Sequence, residues 1–139
     1  MTKLHKELSV QIAACDYIRY QYPFASSSIV KITNEGGWSH YTREKFIKAG
    51  MRPKASDLFV AFPHDPYSGL WIEVKPWDFK LTKSNREHWD GQIAFIHQMI
   101  KQGFAGAMCI GIDDCIEAID YYFKKRMILK RCIYEFPMN

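Results

Sequence analysis

Two short apolar runs with a turn-rich segment between them dominate the middle of the chain. Residues 58–62 are apolar and aromatic and stop at Pro63, and residues 70–74 form a second run between Gly69 and Pro76. The intervening residues 63–69 carry two prolines, an aspartate, a serine and a glycine, so the pattern predicts two strands joined as a hairpin centred near Asp65. Before it, Leu4, Leu8, Ile12, Cys15 and Ile18 recur at helical spacing, which predicts an amphipathic helix over residues 3–22 that ends before Pro23. Residues 28–33 read as a strand. After the hairpin, Trp89, Ile93, Ile96 and Ile100 make a second helical stripe, with Ser84 and Glu87 at capping-box spacing and Gly103 as C-cap. Residues 104–112 read as another strand. Asp113 or Asp114 is expected to cap a last helix that turns Ile116, Ile119 and Phe123 inward, and residues 127–136 are apolar enough for a further strand. The order is helix, three strands, helix, strand, helix. It predicts one α/β domain over residues 1–139 with a mixed sheet and no linker.

The hairpin places chemistry on one face. Side chains alternate along a strand, so Glu73 and Lys75 share a face that Ile72 and Val74 do not. The hairpin register brings Asp57 opposite Glu73. Two carboxylates side by side on a half-buried sheet repel, and a divalent cation between them relieves the repulsion. An Asp followed by Glu-x-Lys on the next strand is the set used for metal-dependent phosphodiester cleavage. Glu-x-Lys alone is a common surface ion pair, and Asp57 on the partner strand is what sets this one apart. Glu7 and Gln11 lie one turn apart at the border of the first helix's apolar stripe, within reach of the sheet. In an isolated helix Glu7 would pair with Lys3 or face solvent.

Composition adds limits. The chain has 139 residues, enough for one core, with a net charge of +4 and a pI near 8.8. Such a balance permits nucleic-acid binding without requiring it. Distribution says more: Arg43, Lys45, Lys48, Arg52 and Lys54 precede the acids, and Lys80, Lys83 and Arg86 follow them. Both clusters flank the face where a phosphate backbone would lie, although any one of these residues can equally be solvated surface. Residues 36–41, Gly-Gly-Trp-Ser-His-Tyr, read as an aromatic loop able to stack at a DNA branch or against a second subunit. Cys15, Cys109, Cys115 and Cys132 lack Cys-x-x-Cys spacing and are expected as buried thiols rather than zinc ligands or disulfides. The five histidines form no ligand constellation. Surface roles are expected for them, with His40 and His64 the candidates to lie near the acids. Without a signal peptide or a membrane-spanning run, a cytoplasmic location is expected, with no membrane partner.

In order and spacing, these elements resemble the PD-(D/E)XK nuclease superfamily. Within it the chain resembles the VRR-NUC family, above all its small stand-alone phage and bacterial forms. Glu7-x-x-x-Gln11 resembles the family's first-helix motif, and Asn34-Glu35-Gly36 the segment after the first strand. Gly50-Met51-x-Pro53-x-x-x-Asp57-Leu58 resembles the approach to the catalytic Asp, and residues 69–75, Gly-Leu-Trp-Ile-Glu-Val-Lys, the core motif strand. Gln92-x-x-Phe95, Gly103-Phe104, Gly111-x-Asp113 and Ile119-x-Tyr121 resemble the closing elements. The likeness spans roughly residues 4 to 123. Three positions depart from it. Lys54 stands where a glycine is usual, Pro76 follows the motif lysine where a basic residue is common, and Ser84 and Gln92 are eight apart instead of close together.

The resemblance implies a restriction-endonuclease-like αβββαβ core with a mixed central sheet flanked by helices. It implies Mg²⁺ or Mn²⁺ held by Asp57, Glu73 and the Val74 carbonyl, with Glu7 as a further carboxylate in preference to Glu35. Lys75 would orient the attacking water or stabilise the transition state, and Gln92 would hydrogen-bond Lys75, the water or a phosphate. The implied activity is a structure-selective DNA endonuclease, resembling Holliday junction resolvases and acting as a homodimer on branched DNA in a bacterial or phage-infected cell. Alternatives are a flap or single-strand nuclease and a DNA-binding module that does not cleave.

Overall fold

β2 (Leu58–Val60) and β3 (Leu70–Lys75) form the expected hairpin in this computed structural model, which describes residues 1–33 and 38–124. They pair antiparallel with Leu58 opposite Ile72 and Val60 opposite Leu70. The connection closes through a His64–Tyr67 bridge. β1 (Ile29–Lys31) adds antiparallel to β2, and β4 (Ala105–Ile110) adds parallel to β3, so the sheet order is β1-β2-β3-β4. A parallel neighbour needs a crossover, and α3 (Arg86–Lys101) supplies it between β3 and β4. With α1 (Lys3–Gln21) and α4 (Gly111–Phe123) on the other face, this is the mixed, helix-flanked α/β sheet that was expected.

The two faces of the sheet have different occupants. Leu58, Val60, Leu70, Ile72, Val74, Ala105, Ala107 and Cys109 pack with α1 and α4 into the main core. On the opposite face Trp71 meets Phe95 of α3 edge-on, and Met108 joins Trp89 and Ile96. Gly106 permits that close approach, because a Cβ there would stand 2.8 Å from the Ile96 methyl. Glu73 and Lys75 belong to this α3 face, next in alternation after Trp71.

The helices differ in detail from the sequence pattern. On α1 the buried residues are Val10, Gln11, Ala14 and Ile18, while Leu4, Leu8 and Ile12 of the expected stripe are exposed. The helix is rotated by part of a turn from that stripe, so that Val10 and Ala14 join Ile18 in the core and Cys15 borders it. Polar ties hold that rotation: Lys31 Nζ donates to Gln11 Oε1 at 2.6 Å, and Tyr17 donates to Asp120 of α4 at 2.8 Å. A helix α2 (His40–Lys48) stands where no element was expected. It buries no residue, and Ser39 caps it by accepting from the Thr42 N–H at 3.2 Å. Trp38 of the expected aromatic loop rests on Phe46 of this helix, with ring centroids 4.7 Å apart.

The Ser84–Glu87 capping box does not form. Asn85 is the N-cap of α3, and its side chain instead accepts from the Thr82 N–H and donates to the Lys80 carbonyl, closing the loop before the helix. α4 starts at Gly111, earlier than expected, where a φ of 82° turns the chain directly out of β4. Asp114 then caps from inside the first turn, accepting the Ile110 N–H at 2.8 Å. Cys15, Cys109 and Cys115 are free thiols, Cys15 only partly buried. The strand expected over residues 127–136, Cys132, and residues 34–37 with Glu35 lie outside the described residues.

Candidate active site

Asp57 immediately precedes β2, and the register that sets Leu58 against Ile72 carries it next to Glu73. Asp57 Oδ2 accepts the Val74 N–H at 2.8 Å, which fixes the carboxylate to the edge of β3. Glu73 is only 2% exposed and Lys75 only 4%. The geometry inferred from alternation is therefore present, with two carboxylates and an ammonium on one face at the end of the hairpin.

Burial and the neighbouring Asp57 push the Glu73 carboxyl well above the usual carboxylate range. Desolvation is the larger cause, followed by the Asp57 charge and a hydrogen bond to it, with the Lys75 ammonium acting in the opposite direction. Glu7 adds the weakest of these influences, so α1 contributes a carboxylate at the margin of the pair. Glu73 Oε1 is buried and has no hydrogen-bond partner. A buried acceptor without a donor is costly, and a cation satisfies it.

The donors here are all oxygens, which suits a hard divalent cation rather than zinc. Among the described residues no three His, Cys, Asp or Glu side chains converge to hold a metal by themselves. Two carboxylates and the Val74 carbonyl leave positions for water and phosphate oxygens. Magnesium is commonly held in that way, by one or two carboxylates plus its substrate.

Lys75 is held from α3. Its Nζ donates to Gln92 Oε1 at 2.6 Å, and Gln92 is itself 6% exposed. The ammonium also lies 5.4 Å from the centroid of the Phe79 ring, and Phe79 stacks on Trp89 at 5.3 Å and 12°. That stack anchors the long stretch between β3 and α3. The eight-residue separation of Ser84 and Gln92 is spanned by the first two turns of α3, which begins at Arg86, and Gln92 reaches the motif lysine. Ser84 Oγ lies 3.1 Å from the Thr82 hydroxyl.

The basic residues divide. Arg43 and Lys54 line a cleft of about 140 Å³ together with Asp57, Gln92, His88, Ile32, Pro53 and Ala55. Arg52 is turned onto α3, donating to Gln98 at 2.7 Å beside the Phe95 ring, and Lys45 lies over the Tyr41 ring of its own helix. Arg86 pairs with Asp90 one turn along α3 at 3.4 Å. Lys48, Lys80 and Lys83 are exposed. His88 was not singled out by the sequence. It is an exposed position of α3 in sequence terms, and the partner that brings it to the cleft, Lys54, is thirty-four residues away.

No protein-family model matches the chain. No curated protein matches it either. Among solved structures, a VRR_NUC domain protein superposes with a TM-score of 0.65 at 24% identity, covering 86% of this chain and 88% of that one. The chain therefore shares the fold of a VRR_NUC domain protein.

Proposed function

We propose that this chain is a Mg²⁺- or Mn²⁺-dependent endodeoxyribonuclease of the VRR-NUC family. In this proposal it cuts branched DNA such as Holliday junctions, as a homodimer, in the cytoplasm of a bacterial or phage-infected cell. The observation that carries it is the Asp57–Glu73 pair, in which Glu73 is buried with one oxygen unpartnered, and Lys75 held beside it by Gln92. A DNA-binding module without chemistry gains nothing from two carboxylates at its phosphate-facing cleft, since they repel the ligand. The shared fold with a VRR_NUC domain protein supports the same reading.

Asp57, Glu73 and the Val74 carbonyl would hold the cation, with Glu7 at the margin as a further carboxylate. Bound there, a divalent cation lowers the pKa of water and offsets charge on a phosphate. The chain's own groups do the rest. Asp57 is fixed by the Val74 amide, so the donor set is in place before substrate arrives. Lys75 presents its ammonium to the attacking oxygen or to charge developing on the phosphorane. Gln92 accepts from Lys75 and so fixes its direction without neutralising it. Arg43 and Lys54 at the cleft are suited to backbone phosphates. A homodimer supplies two equivalent sites, as paired nicks across a junction require. No described helix is long and apolar enough to cross a membrane.

The test is cleavage of labelled four-way junction, flap, single-stranded and duplex DNA with Mg²⁺ or Mn²⁺, against EDTA and Lys75→Ala. Paired symmetric nicks in the junction, absent in both controls, are expected. Cutting confined to flaps or single strands would replace the resolvase assignment, and DNA binding without any cutting would reduce the chain to a binding module.

A further inference from the structure

Lys54 has a backbone conformation that lysine rarely adopts. Its φ is 70°, and it is the one non-glycine residue with positive φ among those described. A glycine would take this conformation without strain, so some interaction of the side chain is expected to hold it. Two are present. Lys54 Nζ lies 2.6 Å from His88 Nδ1 on α3. Its aliphatic stem crosses α3 where the helix has no side chain: a Cβ on Gly91 would stand 3.1, 3.2 and 3.3 Å from Lys54 Cγ, Cδ and Cε. Both Lys54 and His88 line the cleft that contains Asp57 and Gln92.

We propose that Lys54 is a binding residue for a DNA backbone phosphate at the mouth of this cleft, and that His88 and Gly91 are the residues that position it. The inference rests on the nuclease reading for the identity of its ligand. An ammonium donating to Nδ1 requires a neutral imidazole with its proton on Nε2. Burial first, and then the Lys54 charge, hold the His88 pKa below its ordinary value, in keeping with that form. The groups acting on this imidazole are the ammoniums of Lys54, Lys75 and Lys3 and the carboxylate of Asp57. Because the acceptor is uncharged, Lys54 keeps its full charge and two further N–H groups for a phosphate. Arg43, on the same cleft, offers a second cation from α2.

The test is binding of fluorescently labelled duplex and four-way junction DNA in EDTA, where no strand is cut, over a range of salt. Lys54→Ala is expected to weaken binding ~3–10-fold and to lower the salt slope by about one. His88→Ala should weaken it about 3-fold, His88→Asn should restore most of that through an oxygen near the Nδ1 position, and His88→Ala should add little to Lys54→Ala. Gly91→Ala separates positioning from stability. It favours the helix and should raise Tm, while displacing the lysine stem and weakening DNA binding. A readout without DNA is the ¹⁵N resonance of His88 Nδ1, expected to mark an unprotonated nitrogen and to shift in Lys54→Ala.

Wild-type binding that His88→Ala leaves unchanged, or losses from His88→Ala and Lys54→Ala that simply add, would overturn the inference while the nuclease assignment stands. The predicted binding pattern in a protein that cuts nothing would retain the inference and remove the nuclease. A wild-type protein that binds no DNA would sink both.

Discussion

Replacing Glu73 by glutamine tests the acidic pair without any substrate. The wild-type side chain is 2% exposed, faces the Asp57 carboxylate and has one oxygen unpartnered. An uncompensated buried charge costs about 3–5 kcal/mol, and the nearby Lys75 ammonium offsets part of it. The amide keeps a donor toward Asp57 and removes the charge, so Glu73→Gln should stabilise the metal-free protein by about 1–3 kcal/mol. At about 3 °C per kcal/mol for a chain of this size, Tm rises by roughly 3–9 °C. The sign depends on pH. The folded-state pKa of Glu73 is raised, so the folded protein binds more protons than the unfolded chain. Below the unfolded carboxylate value, about 4.3, both states are protonated and the variant has no advantage. The advantage grows as pH rises through the elevated folded value. Thermal melts in EDTA from pH 4 to 8 measure it. Saturating Mg²⁺ should then raise the wild-type Tm, since a cation at one hundred times its Kd adds about 2.7 kcal/mol, and should leave Glu73→Gln nearly unmoved. A variant that melts at or below the wild-type temperature at pH 8 in EDTA, yet gains the same Tm from Mg²⁺, would refute the account of this site.

Three further outcomes follow from the geometry. Gln92→Ala should lower kcat by about 10-fold or more with little change in DNA affinity, because it frees Lys75 to reorient; single-turnover cleavage measures this, and a purely structural Gln92 would change Tm without changing rate. Gly106→Val should destabilise by about 1–3 kcal/mol in urea, since its Cβ meets the Ile96 methyl at 2.8 Å. On α1, Ile18→Ala should cost about 2–4 kcal/mol and Ile12→Ala less than about 0.5, and equal costs would mean that the helix is rotated from the face described.

The hairpin was legible because its turn residues and strand alternation point to the same register, and that register alone joins Asp57, Glu73 and Lys75. Gln92 was legible from the family resemblance, and α3 sets it against Lys75. α1 was found with Ile18 and Cys15 of its stripe facing the core, but Leu4, Leu8 and Ile12 are exposed. It carries two overlapping apolar spacings, and the choice between them is made by Gln11–Lys31 and Tyr17–Asp120, contacts to distant segments. α2 left no signal because a helix that buries nothing has no apolar period. The capping box failed for a related reason, as Asn85 competes for the same loop and closes it with two bonds of its own. His88 was invisible because its significance comes from a strained lysine on another segment.

Three lysines in this structure share one arrangement. Lys31, Lys54 and Lys75 each lie 2.6 Å from an uncharged acceptor: Gln11 Oε1, His88 Nδ1 and Gln92 Oε1. A carboxylate in any of those places would hold the side chain as well and would cancel its charge. Neutral partners give direction and leave the charge of each lysine uncancelled. The consequence lies in encounter kinetics. Association with a polyanion should be steered, with a kon that falls steeply as ionic strength rises, while dissociation depends far less on salt. Exchanging one acceptor for its acid, as in Gln92→Glu, should lower kon more than it changes the fold.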